Sequence, residues 1–97
     1  MLIALPSLEE IVDVVSKVFG VKREIILSGR KRLNPARNVA LYFSQRNVGL
    51  GNEEIGRFFG GLHYSGVSKA AVRVRETMAK DKEWMKIVLK LDFPFKA

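Results

Sequence analysis

The sequence lacks several residue types and patterns, and each absence excludes a class of protein. It has no cysteine among its 97 residues, which rules out a disulfide framework and a thiolate zinc site and fits a reducing cytosol. No apolar run approaches the roughly 18 residues of a membrane-spanning helix, so we expect no membrane span. The chain does not start with a basic segment followed by an apolar stretch, so we expect no signal peptide.

Catalytic and metal-binding patterns are also missing from the sequence. His63 is the single histidine, and no nucleophile or orienting partner is spaced to work with it as a base. No cluster of histidine and acidic residues has the spacing of a metal site. We therefore expect a protein that is not an enzyme and that has no catalytic residue, no metal, no cofactor and no small-molecule ligand.

Charge is the strongest feature of the composition. The chain has 17 lysines and arginines against 10 aspartates and glutamates, which gives a formal net charge of +7. Such a balance favours a polyanionic partner, either nucleic acid or an anionic membrane surface. The first amphipathic segment has Glu9, Glu10 and Asp13 on its polar face, which argues against membrane binding. Nucleic acid is therefore the predicted partner.

The apolar pattern predicts an all-α fold, a compact bundle of five to six helices in one domain over residues 1–97, with a core at about 7–91. Ser7 and Glu10 form a predicted capping box at the start of the first helix, and Gly20 ends it. A short second helix is predicted over residues 22–27.

Start signals also mark the later helices. Asn34 and Pro35 predict the N-cap and first residue of a third helix that runs to about Arg46. Asn52 is the predicted N-cap of a fourth helix, and two glycines at 60–61 end it.

The end of the chain adds two more predicted helices. Ser65 is the predicted N-cap of the fifth helix, and Asp81 is a candidate cap of the sixth. Pro94 is expected to stop any helix.

Residues 52–75 have the pattern of a helix-turn-helix. A short apolar-faced helix precedes a glycine-containing turn, and the second helix has the small residues Ala70 and Ala71, which permit close packing. In such motifs the second helix enters the major groove with its amino end first. The alternative is a plain helical hairpin with a polar face. The predicted base-reading residues are His63, Tyr64, Ser65, Gly66, Ser68 and Lys69.

A basic stretch between residues 22 and 46 supplies the predicted backbone contacts. Its centre is a loop with three consecutive cations, where phosphates or the minor groove can be held next to a helix start. The alternative is an ordinary solvated run of charge. The residues predicted to contact the DNA backbone or the minor groove are Arg30, Lys31, Arg32, Arg37 and Arg73.

These motifs resemble the C-terminal DNA-binding domain, domain IV, of the bacterial replication initiator DnaA. Residues 55–61 read Ile-Gly-Arg-Phe-Phe-Gly-Gly, similar to that family's Ile-Gly, two variable residues and Phe-Gly-Gly. Residues 28–32 resemble its basic loop, residues 37–42 resemble the following helix, and the resemblance covers roughly residues 7–80.

The resemblance implies an all-helical bundle with a helix-turn-helix related to that of the tryptophan repressor. It also implies sequence-specific binding to double-stranded DNA at short asymmetric sites near replication origins. Arg30 or Arg32 would correspond to the arginine that enters the minor groove. The initiator's ATPase domain is not part of this sequence, so ATP binding and origin melting are not expected.

The base-reading segment departs from the initiator pattern. The initiator has Arg-Asp-His-Thr-Thr where residues 62–66 of this chain read Leu-His-Tyr-Ser-Gly. An imidazole thus replaces a carboxylate, and we expect a different preferred DNA site. Residues 61–70 look closer to the DnaA-like domain at the C-terminus of transposases associated with repetitive extragenic palindromes. The tyrosine nucleophile and histidine motif of those transposases are absent here.

Two alternative functions are also compatible with the sequence. One is a protein-interaction module that recruits a replication or transposition partner through the sixth helix and the segment 93–95. The other is a nuclease fragment, which lacks any visible catalytic set. We expect a monomer, because no long apolar stripe is left over for a dimer interface.

Overall fold

The computed structural model describes residues 6–29 and 34–95, with side chains as far as Leu91. These two ranges contain helices and no strand, which confirms the all-α prediction. No helix in them is both long enough and apolar enough to cross a membrane. The helices are α1 (Leu8–Phe19), α2 (Arg23–Leu27), α3 (Pro35–Asn47), α4 (Asn52–Phe58), α5 (Tyr64–Lys80) and α6 (Lys82–Phe95).

The predicted caps of α1 are confirmed. The Ser7 hydroxyl accepts the Glu10 amide at 3.1 Å, and the Glu10 carboxylate accepts the Ser7 amide at 3.2 Å. At the other end Gly20 adopts the left-handed conformation with a φ of +64°, which a residue without a Cβ takes at little cost.

The predicted start of α3 is confirmed as well. The Asn34 side chain accepts the Arg37 amide at 3.1 Å, and Pro35 is the first helical residue. The Asn34 amide group also donates to the carbonyl of Ile25 at 2.7 Å, which ties the start of α3 to α2.

Two predicted N-caps are wrong by one or two residues. Gly51 caps α4, and Asn52 is the first helical residue, because the Asn52 side chain is bonded across to α5. His63 caps α5, and Ser65 is the second helical residue, because the His63 ring accepts the Ser65 amide.

The expectation for Pro94 is also wrong, since α6 continues to Phe95. Proline lacks an N–H donor, and its ring crowds the carbonyl four residues earlier. Helix α6 accommodates it at the second-last position and ends one residue later. Asp81, in contrast, caps α6 as expected, since its carboxylate accepts the amides of Glu83 at 3.0 Å and Trp84 at 3.3 Å.

Helix α3 lies at the centre of the bundle. It contacts α1 on one side and α5 on another, and most of its side chains are buried. The small residue Ala71 of α5 is fully buried, as is Ala40 of α3, and such side chains let two helix axes approach closely. The buried side chains of α3 are Ala36, Arg37, Val39, Ala40, Leu41, Tyr42, Phe43 and Ser44.

Helix α6 closes the bundle next to α1 and α5. Val88 and Leu91 are buried in the core. The indole of Trp84 meets the ring of Phe19 edge-on, with 5.6 Å between ring centroids. The core is thus shared by elements from both ends of the chain.

Candidate nucleic-acid interface

The turn between α4 and α5 is built around a glycine inside α4. The amides of Gly61 and Leu62 both donate to the carbonyl of Gly56, at 3.0 and 2.8 Å. A Cβ on Gly56 would lie 2.0 Å from the carbonyl oxygen of Leu62, closer than any non-bonded contact permits. Only glycine at position 56 lets the turn fold back against its own helix.

Two further glycines reverse the chain within this turn. Gly60 and Gly61 have φ angles of +80° and +81°, in the left-handed region where side chains are strained. The prediction that they end α4 is confirmed. The turn leads directly into α5, so its geometry sets the direction of α5 relative to α4.

A polar bridge joins the start of α4 to α5. The amide group of Asn52 donates to the hydroxyl of Ser68 at 2.9 Å, and its carbonyl oxygen accepts from the Gln45 side chain at 3.3 Å. All three residues are partly buried. Ser68, predicted as a base reader, therefore lies in the joint between the two helices of the motif.

The amino end of α5 is capped by an imidazole. Nδ1 of His63 accepts the backbone amide of Ser65 at 3.2 Å and lies 2.8 Å from the Ser65 hydroxyl oxygen. The ring of Tyr64 lies beside the His63 ring, with 4.3 Å between centroids and 34° between planes. His63 and Tyr64 are exposed and Ser65 is half-buried, so three predicted base readers lie together at the start of the helix.

Gly66, the fourth predicted base reader, has a packing role. A Cβ at this position would lie 2.7 Å from Cδ1 and 3.0 Å from Cγ of Leu62. The glycine makes room for the Leu62 side chain, which packs against the core under the turn.

The outer face of α5 continues from these residues along the helix. Ser65, Lys69 and Val72 follow the i, i+4, i+7 spacing of one helix face, and Lys69 and Val72 are exposed. Arg73 is exposed beside Lys69. The buried residues Val67, Ala70, Ala71 and Val74 hold the opposite face against the core. The motif thus presents to the outside a helix face that carries Lys69 and Arg73 together with the exposed Glu76.

Arg37 has a different position from the one predicted. It is buried, with 8% of its surface exposed, and its guanidinium donates to the carbonyls of Ile26 at 3.0 Å and Phe59 at 2.8 Å. Burial lowers the pKa of this guanidinium below its ordinary value, because desolvation disfavours the charged form. The prediction of a DNA contact for Arg37 is therefore corrected, since both of its bonds hold the fold together.

The predicted basic-loop residues Arg30, Lys31 and Arg32 lie outside the described residues. The two residues that flank this loop, Gly29 and Asn34, are placed, and both line a groove of about 840 Å³. The same groove is lined by Arg73, Lys80 and Trp84. The ends of the loop therefore lie on the side of the molecule where α5 presents Arg73.

A known protein family matches most of this arrangement. Residues 8–74 match the family described as the bacterial DnaA protein helix-turn-helix. The match includes α1 to α4, the glycine turn and most of α5. The chain belongs to this family. As a DnaA-type domain it is a DNA-binding helix-turn-helix module.

Two features of this candidate interface were not predicted from the sequence. Val72 is 41% exposed on the outer face of α5, and its place follows from the i+7 spacing to Ser65. The bridge from Asn52 to Ser68 spans 16 residues, and no local pattern reveals it. In the described ranges no three histidine, aspartate or glutamate side chains come together as a metal site.

Proposed function

We propose that this DnaA-type domain binds duplex DNA in a sequence-specific manner, with α5 in the major groove and without catalytic activity. The observation that carries the proposal is the outer face of α5, where Ser65, Lys69 and Val72 lie in line behind the capped amino end. A helix about 10–12 Å across fits the major groove, which is about 12 Å wide.

The residues at the amino end of α5 have the chemistry of base reading. The side chains of His63, Tyr64 and Ser65 supply hydrogen-bonding groups, which distinguish base edges in the major groove. The exposed methyl groups of Val72 add an apolar surface suited to the methyl group of thymine. Polar and apolar readers on one face can together define a short site.

Cations beside this face supply the contacts that do not depend on sequence. Lys69 and Arg73 are exposed, and in the described ranges no acidic side chain forms an ion pair with either. Gly29 and Asn34, which flank the predicted loop cations Arg30, Lys31 and Arg32 in the sequence, line the groove beside Arg73. Phosphate contacts from both elements would fix the register of α5 on the duplex.

We assign the domain to target recognition in replication initiation or in transposition. The family match supports DNA binding of the DnaA type. The likeness of residues 61–70 to transposase-associated domains supports transposition, and the likeness of residues 55–61 to the initiator's pattern supports replication initiation. We further propose that the domain acts as a monomer on an asymmetric site.

Selection from a random library of duplexes tests this proposal. The purified chain should enrich one short, asymmetric motif. Enrichment of no motif, with equal retention of all duplexes, would contradict sequence-specific recognition and leave a non-specific DNA module. Retention of no duplex at all would contradict DNA binding itself.

A second candidate function rests on the outer side of α6. Met85 and Leu89 are 44% and 53% exposed and lie one helical turn apart, which is a surface suited to a protein partner. In this alternative the domain recruits a replication or transposition protein. Capture of a partner that is insensitive to salt, together with loss of capture in Leu89→Ser, would favour it over DNA binding.

A further inference from the structure

The hydrogen bonds of the α5 cap determine which atom His63 offers to a ligand. The backbone amide of Ser65 can only donate, and it points at Nδ1 of His63 with 3.2 Å between the nitrogens. Nδ1 must therefore carry a lone pair and no proton. In a neutral imidazole the proton then lies on Nε2.

The Ser65 hydroxyl is compatible with this tautomer. Its oxygen lies 2.8 Å from Nδ1, and with Nδ1 unprotonated the hydroxyl is the donor. Tyr64 packs its ring beside the imidazole at 4.3 Å, which limits rotation of the His63 side chain. The amide bond thus fixes the tautomer, and the ring contact limits the orientation of the side chain.

We propose that His63 reads the major groove as an obligate hydrogen-bond donor through Nε2–H, and so selects a base with an acceptor at one position of the site. The inference rests on the proposed placement of α5 in the major groove. Guanine offers two acceptors on that edge, O6 and N7, and thymine offers O4, whereas cytosine offers only its N4 donor. We therefore expect guanine to be preferred and cytosine to be rejected at the position opposite His63.

An aspartate at the same position would select a base with a hydrogen-bond donor instead of an acceptor. Its carboxylate caps the helix equally well but has only acceptors, so it pairs with the amino groups of cytosine or adenine. A carboxylate and an imidazole at this position can therefore both cap the helix but select opposite types of base.

The matched pair His63→Asn and His63→Asp tests the proposal. Both side chains are good N-caps of nearly the same size, but only asparagine keeps an outward donor. Affinities would be measured for four duplexes that differ at one base pair, at each position of the selected site. The four duplexes are compared within one variant, so the general effect of the negative charge added in His63→Asp on DNA affinity cancels.

We expect the wild type and His63→Asn to favour guanine over cytosine at one position by roughly twofold to tenfold, the range of a single hydrogen bond. His63→Asp should reverse that preference at the same position and leave the other positions unchanged. Helical content and thermal unfolding measured by circular dichroism should stay close to wild type for both variants.

Three results would overturn the inference. If His63→Asp keeps the wild-type preference at every position while the wild type binds specifically, His63 does not read a base, although the proposed function stands. If the wild type shows no base preference at any position, the proposed function is wrong and this inference is wrong as well. Independently of DNA, long-range proton–nitrogen NMR correlations in mildly alkaline buffer should show the proton on Nε2, and a proton on Nδ1 would contradict the cap geometry.

Discussion

Two backbone carbonyls inside the bundle depend on one side chain. Arg37 donates to the carbonyl of Ile26 in α2 and to that of Phe59 in the turn of the motif, and its guanidinium lies 5.7 Å from the centre of the Phe59 ring. The planar guanidinium suits this task because its donors point in fixed, diverging directions. One residue of α3 thereby fastens α2 to the helix-turn-helix.

Substitution of Arg37 by lysine should expose this role. An ammonium group keeps the charge but cannot reach both carbonyls, so Arg37→Lys should lower the free energy of unfolding by about 1–3 kcal/mol, the cost of a buried unsatisfied group. Urea unfolding measures this change. A phosphate contact would tolerate lysine, so an Arg37→Lys protein with wild-type stability would contradict the structural role.

Gly56 allows a second test at the scale of a single residue. Gly56→Ala places a methyl group 2.0 Å from the Leu62 carbonyl oxygen, so the turn must move. We expect a loss of more than about 2 kcal/mol in the free energy of unfolding, as for other substitutions that overpack a tight contact. Gly51→Ala is the control, because a Cβ there meets nothing within 4 Å. Equal stabilities of the two variants would contradict the tight turn.

At the scale of the helix, most boundaries follow from local signals. The capping box at Ser7, the left-handed Gly20 and the Asn34–Pro35 start each depend on residues within one turn, and all three were predictable from the sequence. The paired glycines 60–61 are equally local.

The features that the sequence alone does not reveal depend on distant partners. Asn52 looks like an N-cap, but its side chain is bonded to Ser68 of another helix. Arg37 looks like one more exposed cation in a basic stretch. In the fold it is buried, and its guanidinium donates to two carbonyls 11 and 22 residues away in the sequence. For each of these residues the local sequence fits both interpretations, so only the packing of the folded chain distinguishes them.

The outer face of α5 leads to a prediction about phosphate contacts. Arg73→Ala should weaken binding to the selected and the scrambled duplex by the same factor, because phosphates carry no sequence information. The slope of the logarithm of the binding constant against the logarithm of the salt concentration should also fall by about 1, as expected for the loss of one phosphate contact. Lys17→Ala on α1 removes the same charge outside the proposed interface and should have little effect. A preference changed by Arg73→Ala would place Arg73 among the base readers.

At the scale of the whole molecule, the core extends beyond the part that matches the DnaA family. The match ends at residue 74, yet Val88 and Leu91 of α6 are buried and Trp84 packs on Phe19 of α1. In this chain α6 therefore completes the support for the helices that hold α5.

Two leucines of α6 test this role. Leu91 is fully buried and Leu89 is 53% exposed, so they differ in environment and not in chemistry. Leu91→Ala should cost roughly 2–5 kcal/mol of unfolding free energy through lost burial and the cavity left behind, while Leu89→Ala should cost almost nothing. Equal costs would show that α6 does not belong to the folded core.

The proposed function requires α5 to recognise the sequence of duplex DNA in addition to a general attraction to phosphate. Fluorescence anisotropy at several salt concentrations, comparing the selected duplex with a scrambled one, measures both contributions. Both affinities should fall steeply with salt, and the selected duplex should bind at least about 1,000-fold more tightly throughout. Equal affinities for the two duplexes at every salt concentration would contradict the claim.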